Sequence, residues 1–175
     1  MERVTTLVHR FLREHLNPDS VILDLTAGQG NDTLFCAQHF KKVIAMDIQE
    51  EAILATTRKC QTQSNVQLIH DDHSHLGNYI HEPLDAVLFN SGYLPKSLSN
   101  LTTQSSSTLK AFDETLKHLK KGGFLCATFY RKQDWGIEEY EACDVWFSQH
   151  TLQEALNYRY PDDPLGPIVR IFQKL

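Results

Sequence analysis

The sequence predicts an α/β fold: a seven-stranded, mostly parallel sheet with helices on both faces and a C-terminal antiparallel hairpin. Short apolar runs alternate with amphipathic segments, which is typical of parallel strands joined by right-handed crossovers. The alternation stops near the C-terminus, where two strand-like segments follow each other with no helix between them. One domain covering residues 1–175 is expected, because this length suits a single core and no linker or repeat is apparent.

The N-terminal half is divided by its apolar pattern. Apolar residues at helical spacing from Val4 to Leu16 predict an amphipathic helix. The run "VILDL", residues 21–25, is typical of a strand covered on both faces. The further predicted elements are a helix at 31–40, a strand at 42–47, a helix at 50–61, a strand at 66–70, a short helix at 76–81 and a strand at 85–90.

The C-terminal half begins with a Ser/Thr-rich stretch, residues 97–108, which is either a functional loop or an N-cap region. A helix is expected at 108–120, and "KGG" at 121–123 predicts its end, with glycine at the cap. The remaining predicted elements are a strand at 124–130, a helix at 136–149 and two strands at 151–159 and 167–175, with "YPDDPLG" as the turn between them.

Composition and charge narrow the class of protein. The net charge of −5 and the pI of about 6.0 exclude a polycationic surface, so contacts with nucleic acid would have to be local. Residues up to Val87 include 7 basic and 12 acidic side chains, and the rest of the chain has 10 of each. The four cysteines are widely spaced, which favours reduced thiols and a cytoplasmic protein. No apolar run is long enough for a membrane span, so no membrane association is expected.

A glycine-rich turn follows the first predicted strand and carries the strongest functional signal. In "DLTAGQG" the aspartate is Asp24, and Gly28 and Gly30 allow the backbone to pass close to a ligand. In a doubly wound sheet this turn lies where the strand order reverses, which is where ligands bind. Asp47 ends the second strand, where an acid can accept hydrogen bonds from ribose hydroxyls.

Two cofactors are compatible with a glycine turn and a following acid. A dinucleotide would require a third glycine where Thr33 stands, and its pyrophosphate would be repelled by Asp24 and Asp32. S-adenosylmethionine carries an ammonium and a sulfonium group, which acids favour. The pattern D-x-x-x-G-x-G is that of class I methyltransferases with a Rossmann-like fold. The turn residues predicted to bind this cofactor are Asp24, Thr26, Gly28, Gly30, Asn31 and Asp32, although Asn31, Asp32 and Thr33 could instead cap the helix.

The segment "HDDHSHL" follows the third strand, where the adenine of such a cofactor lies. Asp71 or Asp72 could accept a hydrogen bond from the adenine amine, and His73 could stack on the ring or bond to it. A metal site formed by His70, Asp72, His73 and His75 is the alternative, but no second ligand cluster supports it and no metal is expected. The other histidines, His9 among them, are interpreted as surface or packing residues.

The segment "NSGYLP" follows the fourth strand, where methyl donor and acceptor meet. It is similar to the N-P-P-Y motif of enzymes that methylate nitrogen. The Asn90 side-chain oxygen could hold an amine with its lone pair toward the sulfonium methyl, and Tyr93 could stack on a flat base, so both are predicted to be catalytic. Asn90 is also predicted to contact the cofactor, and Tyr93 to bind the substrate. Such positioning supplies much of the rate of an in-line displacement. His73 or water could take the proton that an alkylamine must lose.

These motifs together resemble the YtqB-like family of rRNA methylases. "LDLTAGQGNDTLF", "AMDIQEEAI", "LIHDDHSHL" and "LFNSGYLP" occur in the family's order, and the resemblance runs from about His9 to Lys174. It implies a tRNA methyltransferase that converts 5-aminomethyl-2-thiouridine at the wobble position to the 5-methylaminomethyl form, with S-adenosylhomocysteine as the second product. It also implies cofactor contacts from Asn31, Asp32, Asp47, Gln49, Asp72 and His73, although the family usually has Ser at position 72.

Two segments depart from the family. "KSLS" after "GYLP" and "RKQDWGIEE" after the fifth strand replace Gly-rich segments that should line the substrate mouth. They contribute Lys96, Arg131 and Lys132 as predicted substrate-binding residues, with Arg159 nearby, and Trp135 could stack on a base. Methylation of another RNA or of a small-molecule amine, or cofactor binding without turnover, therefore remain open. The resemblance also makes a homodimer possible.

Overall fold

The structure is a computed structural model that describes residues 3–92 and 103–175. Its central sheet has seven strands in the order β3-β2-β1-β4-β5-β7-β6. The first five run parallel, and β7 pairs antiparallel with both β5 and β6. This confirms the predicted fold class and its closing hairpin. The strands are β1 Val21–Asp24, β2 Lys42–Asp47, β3 Val66–His70, β4 Leu84–Asn90, β5 Leu119–Phe129, β6 Leu152–Arg159 and β7 Ile168–Lys174.

Helices cover both faces of the sheet and bury a separate apolar cluster on each. On one face the amphipathic helix α1 and helix α2 pack on Ile22, Val43 and Ile171. On the other face α4, α5 and a 3-10 helix pack on Leu23, Ile44 and Phe129. The helices are α1 Val4–His15, α2 Asn31–His39, α3 Glu50–Lys59, the 3-10 helix His73–Asn78, α4 Ser105–His118 and α5 Asp134–Gln149.

The start of β5 differs from the prediction. The expected glycine cap at "KGG" is wrong, because α4 ends at His118 and β5 begins directly afterwards at Leu119. Gly122, at φ 81°, and Gly123 lie in an irregular part of β5, where the pairing with β4 shifts between Leu84 and Ala86. The positive φ of Gly122 therefore falls inside this irregular pairing, where glycine is favoured.

The short helix after β3 lies earlier than predicted. It begins at His73 because the Asp72 side chain accepts a hydrogen bond from the Ser74 amide at 2.7 Å. An acid at this position is a standard N-cap for a helical turn. The consequence is that His73 occupies the first position of this helix, close to the carboxyl end of β3.

The order of the strands places a crevice between β1 and β4. The chain moves outward from β1 to β2 and β3, then returns to the other side of β1 as β4. The connections above these carboxyl ends diverge, and such a switch point is where open α/β sheets bind ligands. Within the described part of the chain, no helix is long and apolar enough to cross a membrane.

Candidate active site

A cavity of about 570 Å³ opens at the switch point, above the carboxyl ends of the parallel strands. This size suits a small-molecule cofactor. We call residues 25–32, 47–49 and 72–73 its β1–β2 end, and residues 90–92, 103–107, 130–135 and 165–167 its β4–β5 end. The predicted site residues in its wall are Thr26, Gly28, Asn31, Asp32, Asp47, Gln49, Asp72, His73, Asn90, Arg131 and Lys132.

Asp47 anchors the glycine turn at the β1–β2 end. One carboxylate oxygen accepts a hydrogen bond from the Gly28 amide and the other from the Gln49 amide, both at 2.9 Å. Burial raises the pKa of Asp47, and the two backbone hydrogen bonds oppose that shift. Gly28, at φ 53°, lines the cavity, as expected for a backbone that approaches a ligand.

Gly30 has a different role from the one the sequence indicates. It adopts φ 73°, and an added Cβ would lie 2.9 Å from the Cα of Thr56 on α3. It is absent from the cavity wall as described by residues 3–92 and 103–175. Gly30 therefore allows α2 and α3 to pack closely behind the turn.

Asp24 lies beneath the turn and has no exposed surface. Its carboxylate accepts hydrogen bonds from the Thr33 hydroxyl at 2.7 Å and from the Thr26 amide at 3.1 Å. Burial, followed by the nearby Asp32 carboxylate, raises the pKa of Asp24 to about 7. The structure thus places Asp24 as a support for the turn and the start of α2, away from the cavity surface.

Asn31, Asp32 and Thr33 lie at the start of α2, and the sequence left open whether they cap this helix. That alternative is wrong, because the N-cap residue is Gly30 and no side chain caps the helix. Thr33 donates to Asp24, the Asn31 side chain accepts from Lys59, and Asp32 contacts His9 and Asn90. Asn31 and Asp32 therefore face the cavity with partners outside α2.

Asn90 ends β4 and lines the cavity. Its backbone amide donates to the Thr26 hydroxyl, and its side-chain Nδ2 donates to Asp32 Oδ2, both at 2.9 Å. Asp32 Oδ1 lies 2.6 Å from His9 Nε2 on α1. The interpretation of His9 as a surface or packing residue misses this contact. No signal in the sequence indicates it, because the two residues are 23 positions apart.

The structure separates the two aspartates after β3. Asp71 points away from the cavity and accepts hydrogen bonds from the Tyr79 hydroxyl and His75. These bonds lower the pKa of Asp71 to about 2. Asp72 and His73 line the cavity instead. Among the described residues, no group of three or more His, Cys, Asp or Glu side chains is placed to hold a metal ion.

His73 is half-buried, and this desolvation lowers the pKa of its imidazole. Its ring hydrogen-bonds to the Leu25 backbone, and Nε2 lies 3.4 Å from the Ser107 hydroxyl at the start of α4. Both contacts fix the orientation of the imidazole at the β1–β2 end. Ser107 belongs to the Ser/Thr-rich stretch, so this part of the stretch contributes to the cavity wall.

A buried glutamate organises the β4–β5 end. Glu139 on α5 is 1% exposed and accepts hydrogen bonds from the Thr103 hydroxyl at 2.5 Å and the Thr108 hydroxyl at 2.7 Å. The backbones of Gly92 and Thr103 are also joined, since Thr103 N donates to the Gly92 carbonyl. Burial raises the pKa of Glu139. This clasp fixes the positions of Gly92 and Thr103.

Basic residues meet the hairpin turn at the rim of the β4–β5 end. Arg131 donates to the carbonyls of Pro164 and Gly166, at 2.8 and 3.1 Å. Lys132 is 70% exposed, and its ammonium lies 3.9 Å from Asp163. Arg159 instead donates to the Tyr140 hydroxyl and is not among the described residues that line the cavity.

The residues predicted from the sequence and the residues that line the cavity do not agree everywhere. Tyr93 and Lys96 lie outside the described residues. Trp135, which the sequence suggested as a base-stacking residue, does line the cavity. Wall residues without a sequence signal include Thr5, Ile48, Tyr130, Leu165 and Pro167.

The fold and the site define the class of protein. The protein has the fold of a class I methyltransferase: a seven-stranded sheet with a C-terminal antiparallel hairpin. Its cavity lies over a glycine turn at the switch point of the sheet, which is where such enzymes bind their cofactor. A family model described as "Putative rRNA methylase" matches residues 43–161, and the chain belongs to this family.

Known relatives agree with this assignment. The chain is similar to a "putative rRNA-methylase" from Clostridium thermocellum, with 27% identity, 100% and 99% of the two chains covered and a TM-score of 0.93. It is 34% identical to a "putative methyltransferase" from Streptococcus mutans, solved in complex with SAH, with 100% and 99% coverage and a TM-score of 0.89. It is also 27% identical to the chloroplastic tRNA (mnm(5)s(2)U34)-methyltransferase of Arabidopsis thaliana, over 96% of this chain and 68% of the relative.

Proposed function

We propose that this methyltransferase transfers a methyl group from S-adenosylmethionine to the amine of 5-aminomethyl-2-thiouridine at the wobble position of tRNA. The observation that carries the proposal is the Asn90 side-chain amide, which lines the cavity and hydrogen-bonds to Asp32. It joins the β1–β2 end, which is suited to the cofactor, to the β4–β5 end, which is open to the acceptor.

The β1–β2 end has the chemistry that S-adenosylmethionine requires. Three carboxylates, those of Asp32, Asp47 and Asp72, line it. They attract an ammonium and a sulfonium group and accept hydrogen bonds from ribose hydroxyls, whereas they would repel a pyrophosphate. We assign Asp47 to the ribose, and Asp72 with His73 to the adenine. The Streptococcus mutans relative, solved with SAH, supports this choice.

The cofactor, when bound, supplies an electrophilic methyl group on a sulfonium. The chain's own contribution is to place the nucleophile in line with it, which accounts for much of the rate of such reactions. Asn90 Nδ2 is occupied by Asp32. Among residues 3–92 and 103–175 none donates a hydrogen bond to Asn90 Oδ1, and we assign this oxygen to a hydrogen bond from the acceptor amine. That bond directs the nitrogen lone pair toward the methyl group.

The acceptor end is compatible with a tRNA anticodon. Arg131 and Lys132 stand at its rim, Trp135 lies in its wall, and the half of the chain that contains them has as many basic as acidic residues. Local cations contact phosphates, and an aromatic ring stacks on a base. The Arabidopsis thaliana relative, named for this wobble nucleoside, supports the substrate. Tyr93 and Lys96 are proposed to act at the same end.

The test is mass spectrometry of tRNA nucleosides. Purified protein is incubated with S-adenosylmethionine and tRNA from a strain that accumulates 5-aminomethyl-2-thiouridine. We expect the 5-methylaminomethyl nucleoside to appear with the wild type and to fall about 100-fold with Asn90→Ala, a loss typical of a group that contacts the reacting atoms. Calorimetry should show that Asn90→Ala still binds S-adenosylhomocysteine.

Asn157→Ala is the matched control, since Asn157 is an exposed residue of β6 outside the cavity. It should methylate at the wild-type rate. Absence of the product with a wild-type protein that binds S-adenosylhomocysteine would contradict the tRNA substrate. The same protein would then be tested with rRNA and with small amines.

A further inference from the structure

Two hydrogen bonds join helix α1 to the Asn90 amide. His9 Nε2 lies 2.6 Å from Asp32 Oδ1, and Asp32 Oδ2 accepts from Asn90 Nδ2 at 2.9 Å. Asp32 is 23 positions from His9 and 58 positions from Asn90, so only the tertiary fold brings the three side chains together. Each oxygen of the carboxylate therefore has its own donor.

We propose that His9 and Asp32 are positioning residues that hold the Asn90 amide in one orientation, with Oδ1 toward the acceptor amine. This inference rests on the proposed function, in which Asn90 Oδ1 accepts a hydrogen bond from that amine. His9 contacts neither substrate nor cofactor in this scheme and acts through Asp32.

The chemistry of the two groups determines the orientation. An amide has one donor end and one acceptor end, whereas an ionised carboxylate only accepts hydrogen bonds. If the Asn90 amide were turned by half a rotation, its oxygen would face an oxygen of Asp32, and the hydrogen bond would become a repulsion. With Nδ2 facing Asp32, the acceptor end of the amide faces away from the carboxylate and is left for an amine donor.

The hydrogen bond from His9 keeps the Asp32 carboxylate in place. The Asp32 side chain is 19% exposed and adjoins a cavity proposed to hold a cationic ligand, which would attract it. A donor at Oδ1 opposes that movement. The His9 ring is itself fixed, because it stacks on Phe35 of α2 with centroids 3.7 Å apart and an interplanar angle of 2°. Phe35 in turn stacks on His39.

The stacking and the hydrogen bond can be separated by two substitutions. His9→Phe keeps a flat ring on Phe35 but removes the donor to Asp32. His9→Gln removes the ring but keeps an N–H donor at about the position of Nε2. His15→Phe is the matched control, since His15 lies on the same helix and stacks on Phe11. All three variants are compared with the wild type for kcat and KM on tRNA, affinity for S-adenosylhomocysteine, and Tm.

We expect kcat of His9→Phe to fall about tenfold, the loss typical of one hydrogen bond to a charged group. KM for tRNA should stay within about twofold of the wild type, because His9 does not contact the acceptor. S-adenosylhomocysteine affinity should change less than kcat, because His9 reaches the cofactor end of the cavity only through Asp32. His9→Gln should recover most of kcat, and His15→Phe should leave it unchanged. A wild-type kcat in His9→Phe, or a loss in His9→Gln as large as in His9→Phe, would overturn the inference.

A second readout needs no substrate. The side-chain amide protons of Asn90, assigned in an NMR spectrum by their loss in Asn90→Ala, report the hydrogen bond to Asp32. Their resonances should move in His9→Phe and stay in place in His9→Gln and His15→Phe. Unchanged resonances in His9→Phe would count against the inference even if the wild type proved inactive on tRNA. Inactivity of the wild type with the expected shifts would instead refute only the proposed substrate.

Discussion

The two ends of the cavity are held together in different ways. At the β1–β2 end, Asp47 binds the amides of Gly28 and Gln49, both close to the carboxyl ends of neighbouring strands. At the β4–β5 end, Glu139 on α5 binds two hydroxyls from the start of α4 and the residues before it. The first end is built from backbone donors and short motifs, the second from side chains that meet only when distant helices pack. The first end is therefore easier to predict from the sequence.

We expect the largest loss of stability from a substitution at Gly30, where the β1–β2 end depends on backbone geometry. Gly30→Ala places a Cβ 2.9 Å from the Thr56 Cα at a positive φ, so neither strain nor clash can be relieved by a side chain. We expect the free energy of unfolding to fall by about 3 kcal/mol, measured by urea denaturation. Gly77→Ala is the control, since its Cβ would meet only the flexible end of Glu114. Equal stability of the two variants would contradict the packing role of Gly30.

Asp47→Ala tests whether the same end binds the cofactor. The variant loses the acceptor for the Gly28 and Gln49 amides and the proposed ribose contact. The dissociation constant for S-adenosylhomocysteine should rise about 100-fold, as expected for two or three lost hydrogen bonds to a carboxylate. Asp71→Ala should change it less than about threefold, because Asp71 binds Tyr79 and His75 outside the cavity. Titration calorimetry measures both, and similar losses would place the adenine or ribose contact at Asp71.

The buried acid beneath the turn predicts a pH dependence of stability. The pKa of Asp24 is raised to about 7 in the folded protein, so the folded state holds its proton at a higher pH than the unfolded chain does. The free energy of unfolding should therefore decrease as pH rises from about 5 to 7 and level off above it, by roughly 2 kcal/mol.

Asp24→Asn isolates this contribution from that of Asp47 and Glu139, whose pKa values are also raised. An amide preserves the acceptor for Thr26 and can donate to the Thr33 hydroxyl. Denaturant titrations at pH 5 and pH 8 should differ less for this variant than for the wild type. Identical pH dependence in the two proteins would mean that Asp24 titrates as in the unfolded chain.

A substitution at the β4–β5 end should lower activity on tRNA and leave cofactor binding unchanged. Glu139→Ala leaves the Thr103 and Thr108 hydroxyls without their acceptor and loosens the clasp with Gly92. We expect kcat/KM for tRNA to fall about tenfold, with an unchanged dissociation constant for S-adenosylhomocysteine. Glu139→Gln retains an oxygen acceptor and should recover part of the activity.

Glu141→Ala, an exposed acid on the same helix, is the control for Glu139. It should match the wild type in kcat/KM. A loss of cofactor affinity in Glu139→Ala would break the separation between the two ends, because it would show that the clasp also supports the cofactor.

The same contrast explains which parts of the molecule the sequence predicts. The bounds of β2 and β3 agree with the prediction because their apolar segments end in the polar residues Asp47 and His70. The start of β5 differs from the prediction because the glycines at 122–123 lie inside the strand, where its pairing with β4 is irregular. Likewise, His9 and Glu139 reach the site by helix packing alone. Short-range sequence patterns predict the β1–β2 end. The β4–β5 end and the contact of His9 depend on residues that are far apart in the sequence.

The smallest effect is expected at the exposed rim of the β4–β5 end. Lys132 is 70% exposed and only 3.9 Å from Asp163, a pair that contributes little to stability. Lys132→Ala should weaken tRNA binding about threefold and make the salt dependence of binding shallower, because one phosphate contact is lost. Lys121→Ala, an exposed lysine near the opposite end of β5, removes the same charge without touching the cavity. If both variants weaken binding equally over a range of salt concentrations, tRNA responds to the net charge of the protein, and the rim has no specific role.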